Sequence, residues 1–185
     1  YSLDDREDVI KNECYDTCIS NGNNDYECRT NKDVLGGCSH LKPQPGDWAE
    51  KYGGINFKSN RSYTCDDMME KIKKDSYNKK TKKSNIYSVP FDKKCKKNYY
   101  KAGLTVKSKG DTTYHFYRQD DNNRWSHKQG TLPIEDKDAS ENVMFAPHLA
   151  DRNYDYDNDD SGLNYDTWCN YFCVPRNYHL DTHAT

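Results

Sequence analysis

Hydrophobic positions divide the chain into a helical first part and a strand-rich second part. Near the amino terminus, Ile10, Cys14 and Cys18 recur every four residues, which predicts an N-terminal helix with these side chains on one face. A second helix is expected after Thr64, because its hydroxyl can cap a helix in which Asp67 is the third residue.

From residue 85 onward, the pattern is typical of strands. Residues 101–107 alternate apolar and polar positions, which predicts a strand buried on one face. Residues 112–119 are rich in β-branched and aromatic side chains, and a D-D-N-N turn separates them from a third strand over residues 124–129. The three strands are predicted to form an antiparallel meander of consecutive neighbours.

The length of that turn decides which side chains of the meander share a face. A four-residue turn would pair Tyr117 with Ser126 and His115 with Lys128. His115, Tyr117 and Ser126 would then face one side of the sheet and His127 the other, while a one-residue change in the turn would move His127 across.

The composition indicates one small folded domain. The chain has 185 residues, of which 33% are hydrophobic and 13% aromatic, and its 16 tyrosines supply buried area that the few aliphatic residues cannot. No apolar run is long enough to span a bilayer, and a net charge of -2 argues against a dedicated nucleic-acid binder.

Eight cysteines are the strongest compositional signal. In a hydrophilic chain they favour disulfides over zinc, because neither C-x3-C pair has a histidine at ligand spacing. Disulfides indicate an oxidising compartment, and the first residue, Tyr1, is consistent with removal of a signal peptide. We therefore expect an extracellular, secreted or virion-associated protein.

Two disulfides are predicted from loop closure, Cys65–Cys95 and Cys28–Cys38. If the aromatic run around Cys169 and Cys173 is extended, these two cysteines lie too far apart to pair with each other. Each is expected to have a different partner, for which the candidates are Cys14, Cys18 and Cys38.

Cys14 and His115 are the candidates for catalysis. Nucleophilic thiol chemistry needs a thiolate, an imidazole within hydrogen-bond reach, and a third polar group that orients the imidazole. Cys14 on a helix followed by His115 on a strand has this order.

The residues around these two positions resemble a known family. C-Y-D-T-C from Cys14 is similar to the N-C-Y-x-Y-A element of papain-like cysteine peptidases of the NlpC and CHAP type. P-Q-P-G from Pro43, Y-H-F-Y-R-Q-D from Tyr114 and W-S-H-K from Trp125 resemble elements of an uncharacterised group of such proteins in bacteria and large DNA viruses. The similar elements lie between residues 11 and 175.

The resemblance implies a papain-like domain of the α+β class over residues 1–175, followed by a tail over 176–185. In it an N-terminal helix would pack on an antiparallel β-sheet, and loops would be stapled by disulfides. Cys14 would be the nucleophile and His115 the general base, with Ser126 or His127 as the orienting residue.

Two functions remain open. The favoured one is a non-catalytic structural or binding domain, because an even number of cysteines can all be oxidised and Glu13 beside Cys14 would raise the pKa of the thiol. The alternative is an active thiol hydrolase, a peptidase or amidase, that uses Cys14 and His115.

An acidic run suggests a metal site. Its ligands would be Asp155, Asp157, Asp159 and Asp166. The spacing is similar to a calcium loop, but a glycine is needed at the sixth position and Asp160 is there. A solvated acidic loop is favoured, so no cofactor is expected and calcium is the alternative.

Lysines are concentrated between residues 71 and 97. They favour either an anionic partner or a soluble loop that complements the acidic run, and the second interpretation is preferred. The partners expected are other proteins or further copies of the chain, with no nucleic acid and no membrane span.

Overall fold

The computed structural model describes residues 18–23, 45–46, 49, 63–110, 113–129, 133–155 and 163–176. Of the predicted N-terminal helix, residues 18–20 are helical and the rest lies outside the described residues, as does the Cys28–Cys38 pair. Among the described helices, none is both long and apolar enough to cross a membrane.

Helix α1 spans Cys65–Asp75 and begins where the sequence predicts. Thr64 is its N-cap, and the Thr64 hydroxyl accepts a hydrogen bond from the backbone N–H of Asp67 at 3.2 Å. Acidic residues in the first turn and Lys73 and Lys74 in the last turn complement the helix dipole.

In the part of the chain that the structure describes, ten strands follow the helix, and six of them form the main sheet. The order in this sheet is β3-β10-β4-β5-β6-β7, all antiparallel. The main-sheet strands are β3 Tyr87–Ser88, β4 Tyr99–Lys107, β5 Thr113–Gln119, β6 Trp125–Lys128, β7 Ile134–Glu135 and β10 Thr167–Pro175. The other four strands form two small antiparallel hairpins. One pairs β1 Tyr77–Asn78 with β2 Lys83–Ser84, and the other pairs β8 Asn153–Tyr154 with β9 Leu163–Asn164.

The predicted meander is confirmed, since β4, β5 and β6 are consecutive neighbours. The sheet is larger than the meander because β10, from the far end of the chain, inserts between β3 and β4. The α+β class is correct in this broad sense.

One face of the sheet shares a core with α1. Met68, Met69 and Ile72 of the helix belong to the same buried cluster as apolar residues of β4 and β10. The strand residues in that cluster are Tyr100, Ala102, Leu104, Val106, Phe172 and Val174.

The opposite face has a second core. Tyr117, Trp125 and Tyr171 pack there with Met144, which comes from the connection after β7. Trp125 and Met144 are also joined through the backbone, because the Trp125 N–H donates to the Met144 carbonyl at 3.0 Å.

Strand β4 is therefore buried on both faces, and the prediction of a half-buried strand is wrong. The polar side chains of β4 can be buried because they interact with groups inside the protein. The Lys101 ammonium donates to the Phe91 carbonyl at 2.5 Å, and the Thr105 hydroxyl donates to the Thr167 carbonyl at 2.8 Å.

The disulfides differ from the predicted pairs. Cys65 is bonded to Cys169 and Cys95 to Cys173, with Cα–Cα distances of 5.2 and 5.7 Å, so Cys65–Cys95 is wrong. Cys169 and Cys173 do have different partners, as predicted, but not Cys14, Cys18 or Cys38. The prediction considered only loop closure along the sequence and did not anticipate that β10 would insert between β3 and β4.

A β-bulge in β10 directs the two disulfides to opposite faces. The register with β4 shifts between Trp168 and Asn170, so Cys169 packs against the core below α1 while Cys173 lies in the opposite core. Regular alternation would have placed both sulfurs on one face.

The same bulge brings the Trp168 ring over Gly103 of β4. A methyl group on Gly103 would overlap Cη2 of the indole and lie 3.1 Å from Cζ2. We expect Gly103→Ala to lower the free energy of unfolding by roughly 1–3 kcal/mol, as overpacking does. Urea denaturation followed by tyrosine fluorescence measures this loss.

The matched control is the same substitution in a Trp168→Phe background, where the shorter ring no longer reaches the added methyl. There the loss caused by Gly103→Ala should fall below half its value in the parent. An equal loss in both backgrounds would show that the indole is not the obstacle.

Candidate functional site

His115 and His127 meet on the face of the sheet opposite α1, and their meeting depends on the turn between β5 and β6. The observed register pairs Tyr117 with His127 and Arg118 with Ser126, one residue away from the predicted register. The turn is one residue shorter than predicted, because Asp120 pairs with Arg124 and its N–H donates to the Arg124 carbonyl at 2.9 Å, which leaves residues 121–123 in the turn. Asn123 adopts a φ of 65°, which asparagine tolerates better than most residues.

The shifted register separates Ser126 from His115. Ser126 lies on the other face of its strand, where its hydroxyl donates to the Asp120 carboxylate at 3.2 Å. The prediction that Ser126 shares a face with His115 is therefore wrong. The residue beside His115 is His127, which the sequence offered as the alternative orienting residue.

The two imidazoles are joined by a hydrogen bond of 2.8 Å between Nε2 of His115 and Nδ1 of His127. The other nitrogen of His127, Nε2, lies 2.9 Å from the carbonyl oxygen of Lys137. Because a carbonyl only accepts, Nε2 of His127 carries the proton and Nδ1 accepts from Nε2–H of His115. The geometry thus fixes one tautomer for each ring in the neutral pair.

Tyrosine rings enclose the pair. Tyr165 stacks on His115 with ring centroids 5.0 Å apart and 28° between the planes, and Tyr117 meets His115 edge-on at 5.1 Å. Tyr154 lies against His127 at 5.9 Å, with its hydroxyl 3.5 Å from Nε2. These five residues are named the His–Tyr cluster below.

Burial governs the ionisation of the cluster. His115 is only 7% exposed, and burial, aided by the proximity of His127, lowers the pKa of His115 to about 3. Burial also lowers the pKa of His127, against the opposing effect of the Lys137 carbonyl. Both rings are therefore neutral at pH 7.

The tyrosines of the cluster also hold their protons. Burial raises the pKa of Tyr165 to about 12 and raises the pKa of Tyr117 further, with a contribution from Tyr154. The Tyr117 hydroxyl is buried with no described hydrogen-bond partner, although Tyr154 is its neighbour. The cluster is a neutral, protonated network.

A second polar–aromatic group lies beside this cluster, and no sequence pattern predicts it. The Arg152 guanidinium lies 5.7 Å from the Trp168 ring and donates to the Pro147 carbonyl at 2.7 Å and, through Nε, to the Tyr165 carbonyl at 3.2 Å. An isolated arginine in an acidic stretch has no pattern that would predict this role. It anchors the loop before β8 to the sheet.

Cys14 lies outside the described residues, so its distance to His115 is not defined. Every described cysteine is in a disulfide, including Cys18, whose partner is not among the described residues. The predicted nucleophile and its role stay predictions.

The described part of the acidic run shows no metal site. The Asp166 carboxylate accepts from the Ser108 N–H at 3.0 Å and from the Ser108 hydroxyl at 2.9 Å, so it fastens the end of β4 to β10. Asp155 follows β8, while Asp157 and Asp159 lie outside the described residues. In the described ranges, no group of three or more histidine, cysteine or acidic side chains could hold a metal ion.

The neutral histidine pair predicts a loss of stability in acid. The pKa of His115 is near 6.5 in the unfolded chain and about 3 in the folded protein, so below pH 6.5 only the unfolded chain takes up the proton. This contribution to stability is complete above pH 6.5 and falls by about 1.4 kcal/mol per pH unit toward pH 3. His115→Gln, whose amide can still donate to His127, removes this dependence.

Urea denaturation at pH 7.5, 6.5, 5.5 and 4.5 measures the effect. Below pH 6.5 the parent should lose more of its free energy of unfolding than His115→Gln, so the difference between the two proteins should narrow steadily. Protonation of carboxylates changes the free energy of unfolding of both proteins alike. The control is His148→Gln, because His148 is less buried than His115, and its difference from the parent should change less. A constant difference for His115→Gln across this range would contradict a buried neutral histidine.

Comparison with known proteins identifies no relative: no family model matches the chain, no curated protein matches it, and no solved structure resembles it.

Proposed function

We propose that this protein is a non-catalytic binding domain of the extracellular space or of a particle surface, built on a papain-like scaffold. The observation that carries the proposal is the state of His115. Its ring is buried, its Nε2 is committed to His127, and its pKa of about 3 is far below neutrality.

Such a histidine is a poor general base. A thiol has a pKa of about 8.5, so a base of pKa about 3 accepts its proton against a difference of more than five pKa units. The stacking of Tyr165 on the ring also favours an aromatic packing role.

The disulfides support the location. Cys65–Cys169 ties α1 to β10, and Cys95–Cys173 ties the loop before β4 to the same strand. Such covalent links persist in oxidising compartments and are rare in the cytosol. This is compatible with an extracellular or virion-surface protein.

Exposed apolar side chains support the partner class. Leu149 is 79% exposed, Ile134 is 69% exposed and Phe145 is 65% exposed. Ile134 belongs to β7, which is the last described strand at its edge of the sheet, a position where proteins can add a strand from a partner. Other proteins or further copies of this chain are the partners proposed for these positions.

The alternative is a thiol hydrolase that uses Cys14 and His115. One observation favours it, which is the chain of hydrogen bonds from His115 through His127 to the Lys137 carbonyl. A third group orients a catalytic imidazole in the same manner. In this alternative His127, and not Ser126, is the orienting residue.

Counting free thiols separates the two functions. The oxidised protein is unfolded in denaturant at low pH, alkylated, and examined by mass spectrometry. We expect no labelled cysteine, because the proposed binding domain has all eight oxidised. A labelled Cys14 in the intact, folded protein at pH 7, with labelling slowed at least tenfold by His115→Gln but not by His148→Gln, would replace the proposal with the hydrolase.

A further inference from the structure

Eleven lysines and two aspartates lie between residues 71 and 97, which gives this segment a charge of +9 in a chain whose net charge is -2. Eight of the lysines occupy two turns. They are Lys79, Lys80, Lys82 and Lys83 in the β1–β2 hairpin, and Lys93, Lys94, Lys96 and Lys97 in the loop before β4. All eight are exposed, and together they are named the lysine surface.

The described residues leave this surface almost unneutralised. Of the eight lysines, only Lys93 has a described carboxylate within salt-bridge distance, and that pair, with Asp92, is exposed and 3.8 Å long. The other aspartate of the segment, Asp75, points inward, since it accepts from the Gly46 N–H at 2.7 Å and the Ala49 N–H at 2.9 Å. The positive charge is therefore directed at solvent.

The hairpin turn is held in one conformation. The Asn78 side-chain oxygen accepts from the N–H of Lys80 at 2.9 Å and of Thr81 at 3.0 Å. At the base of the hairpin, the hydroxyls of Ser76 and Ser84 are hydrogen-bonded, and the Asn85 N–H donates to the Ser76 carbonyl at 2.9 Å. Four lysines are thus presented from a fixed backbone.

The second turn is fixed as firmly. Cys95, in the middle of its lysines, is bonded to Cys173 of β10. The Lys96 N–H donates to the Tyr87 hydroxyl at 2.9 Å, and the Lys96 ammonium lies 4.9 Å from the Tyr87 ring. A backbone fixed before binding loses less entropy when a ligand binds.

Tyr87 connects the two turns into one surface. It supports Lys96 and lies three residues after Ser84, the last residue of the hairpin. Three residues of chain reach at most about 11 Å, so the end of the hairpin lies within about 11 Å of Tyr87, on which Lys96 packs. An extended polyanion can contact both groups at once.

We propose that the lysine surface binds a sulfated polysaccharide. This choice of polyanion rests on the extracellular location in the proposed function, because nucleic acid is not the usual polyanion of an oxidising compartment. The residue types also favour a sulfated chain over a phosphate ligand. The planar guanidinium of arginine suits bidentate contacts with phosphate, and the lysine surface contains no arginine. Lysine ammonium groups on flexible stems suit sulfates distributed along a chain.

The surface is less suited to other polyanions. Stacking of successive bases needs several open aromatic rings. Tyr77 of the hairpin is 38% exposed, but Tyr87, which follows the hairpin, is covered by Lys96 and by Tyr99, whose ring centroid is 5.5 Å away. Insertion into a membrane interface needs apolar side chains beside the charges. Phe91 is 42% exposed, but its ring also packs against His148 and Tyr171, and the two lysine turns contain no leucine, isoleucine or methionine.

Binding of size-defined heparin oligosaccharides to the full, oxidised chain tests the proposal, with affinities measured by calorimetry between 50 and 300 mM NaCl. Lys79→Gln with Lys80→Gln should weaken binding roughly tenfold and reduce the slope of log affinity against log salt by about 1.5, by loss of counterion release. The matched control is Lys109→Gln with Lys128→Gln, which removes the same charge from exposed positions elsewhere and should change affinity less than twofold.

Equal losses in the two double variants, or no heparin binding at 50 mM NaCl, would overturn the proposal. Tighter binding to a 20-base-pair DNA duplex than to heparin would assign the surface to nucleic acid instead. Tighter binding to vesicles with one-third phosphatidylserine would assign it to membranes. The heparin measurement and the thiol count are independent, so failure of one is distinguishable from failure of the other.

Discussion

The pairing of β10 with β4 is the interaction on which the rest of the structure depends. It joins residues 167–175 to residues 99–106 along almost the whole length of both strands, in the interior of the main sheet. Both described disulfides end on β10, one from α1 and one from the loop before β4. The last described strand therefore holds together elements that were made up to 104 residues earlier in the chain.

The bulge in β10 extends this effect to both faces of the sheet. It sends Cys169 toward α1 and leaves Trp168 and Cys173 on the other face, where the Trp168 ring covers Gly103. His115 and His127 are buried there as neutral rings because they hydrogen-bond each other and the Lys137 carbonyl, which satisfies groups that burial would otherwise penalise.

The histidine pair and the lysine surface differ in burial and in charge. The cluster that looks most like a catalytic site is neutral and enclosed, whereas the two lysine turns are charged, exposed and rigid. The Cys95–Cys173 disulfide serves both parts, since it closes the second core and fixes the turn between Lys94 and Lys96. We infer that binding through surface charge is the function these constraints favour.

Local signals in the sequence determined the start of α1, through the Thr64 cap, and the order of β4, β5 and β6, through apolar alternation and a polar turn. They also showed that Cys169 and Cys173 need separate partners. Each of these features depends on residues a few positions apart. The papain-like resemblance and the role of Cys14 stay predictions.

Two features were decided only by the tertiary structure: the register between β5 and β6, and the disulfide partner of Cys65. A shift of one residue in the register after Gln119 exchanged Ser126 for His127 beside His115, because side chains in a strand alternate faces. The insertion of β10 chose Cys65–Cys169 over Cys65–Cys95, because a disulfide forms between cysteines that the sheet brings within about 6 Å, whatever their separation in the chain. Local periodicity contains no information about either choice.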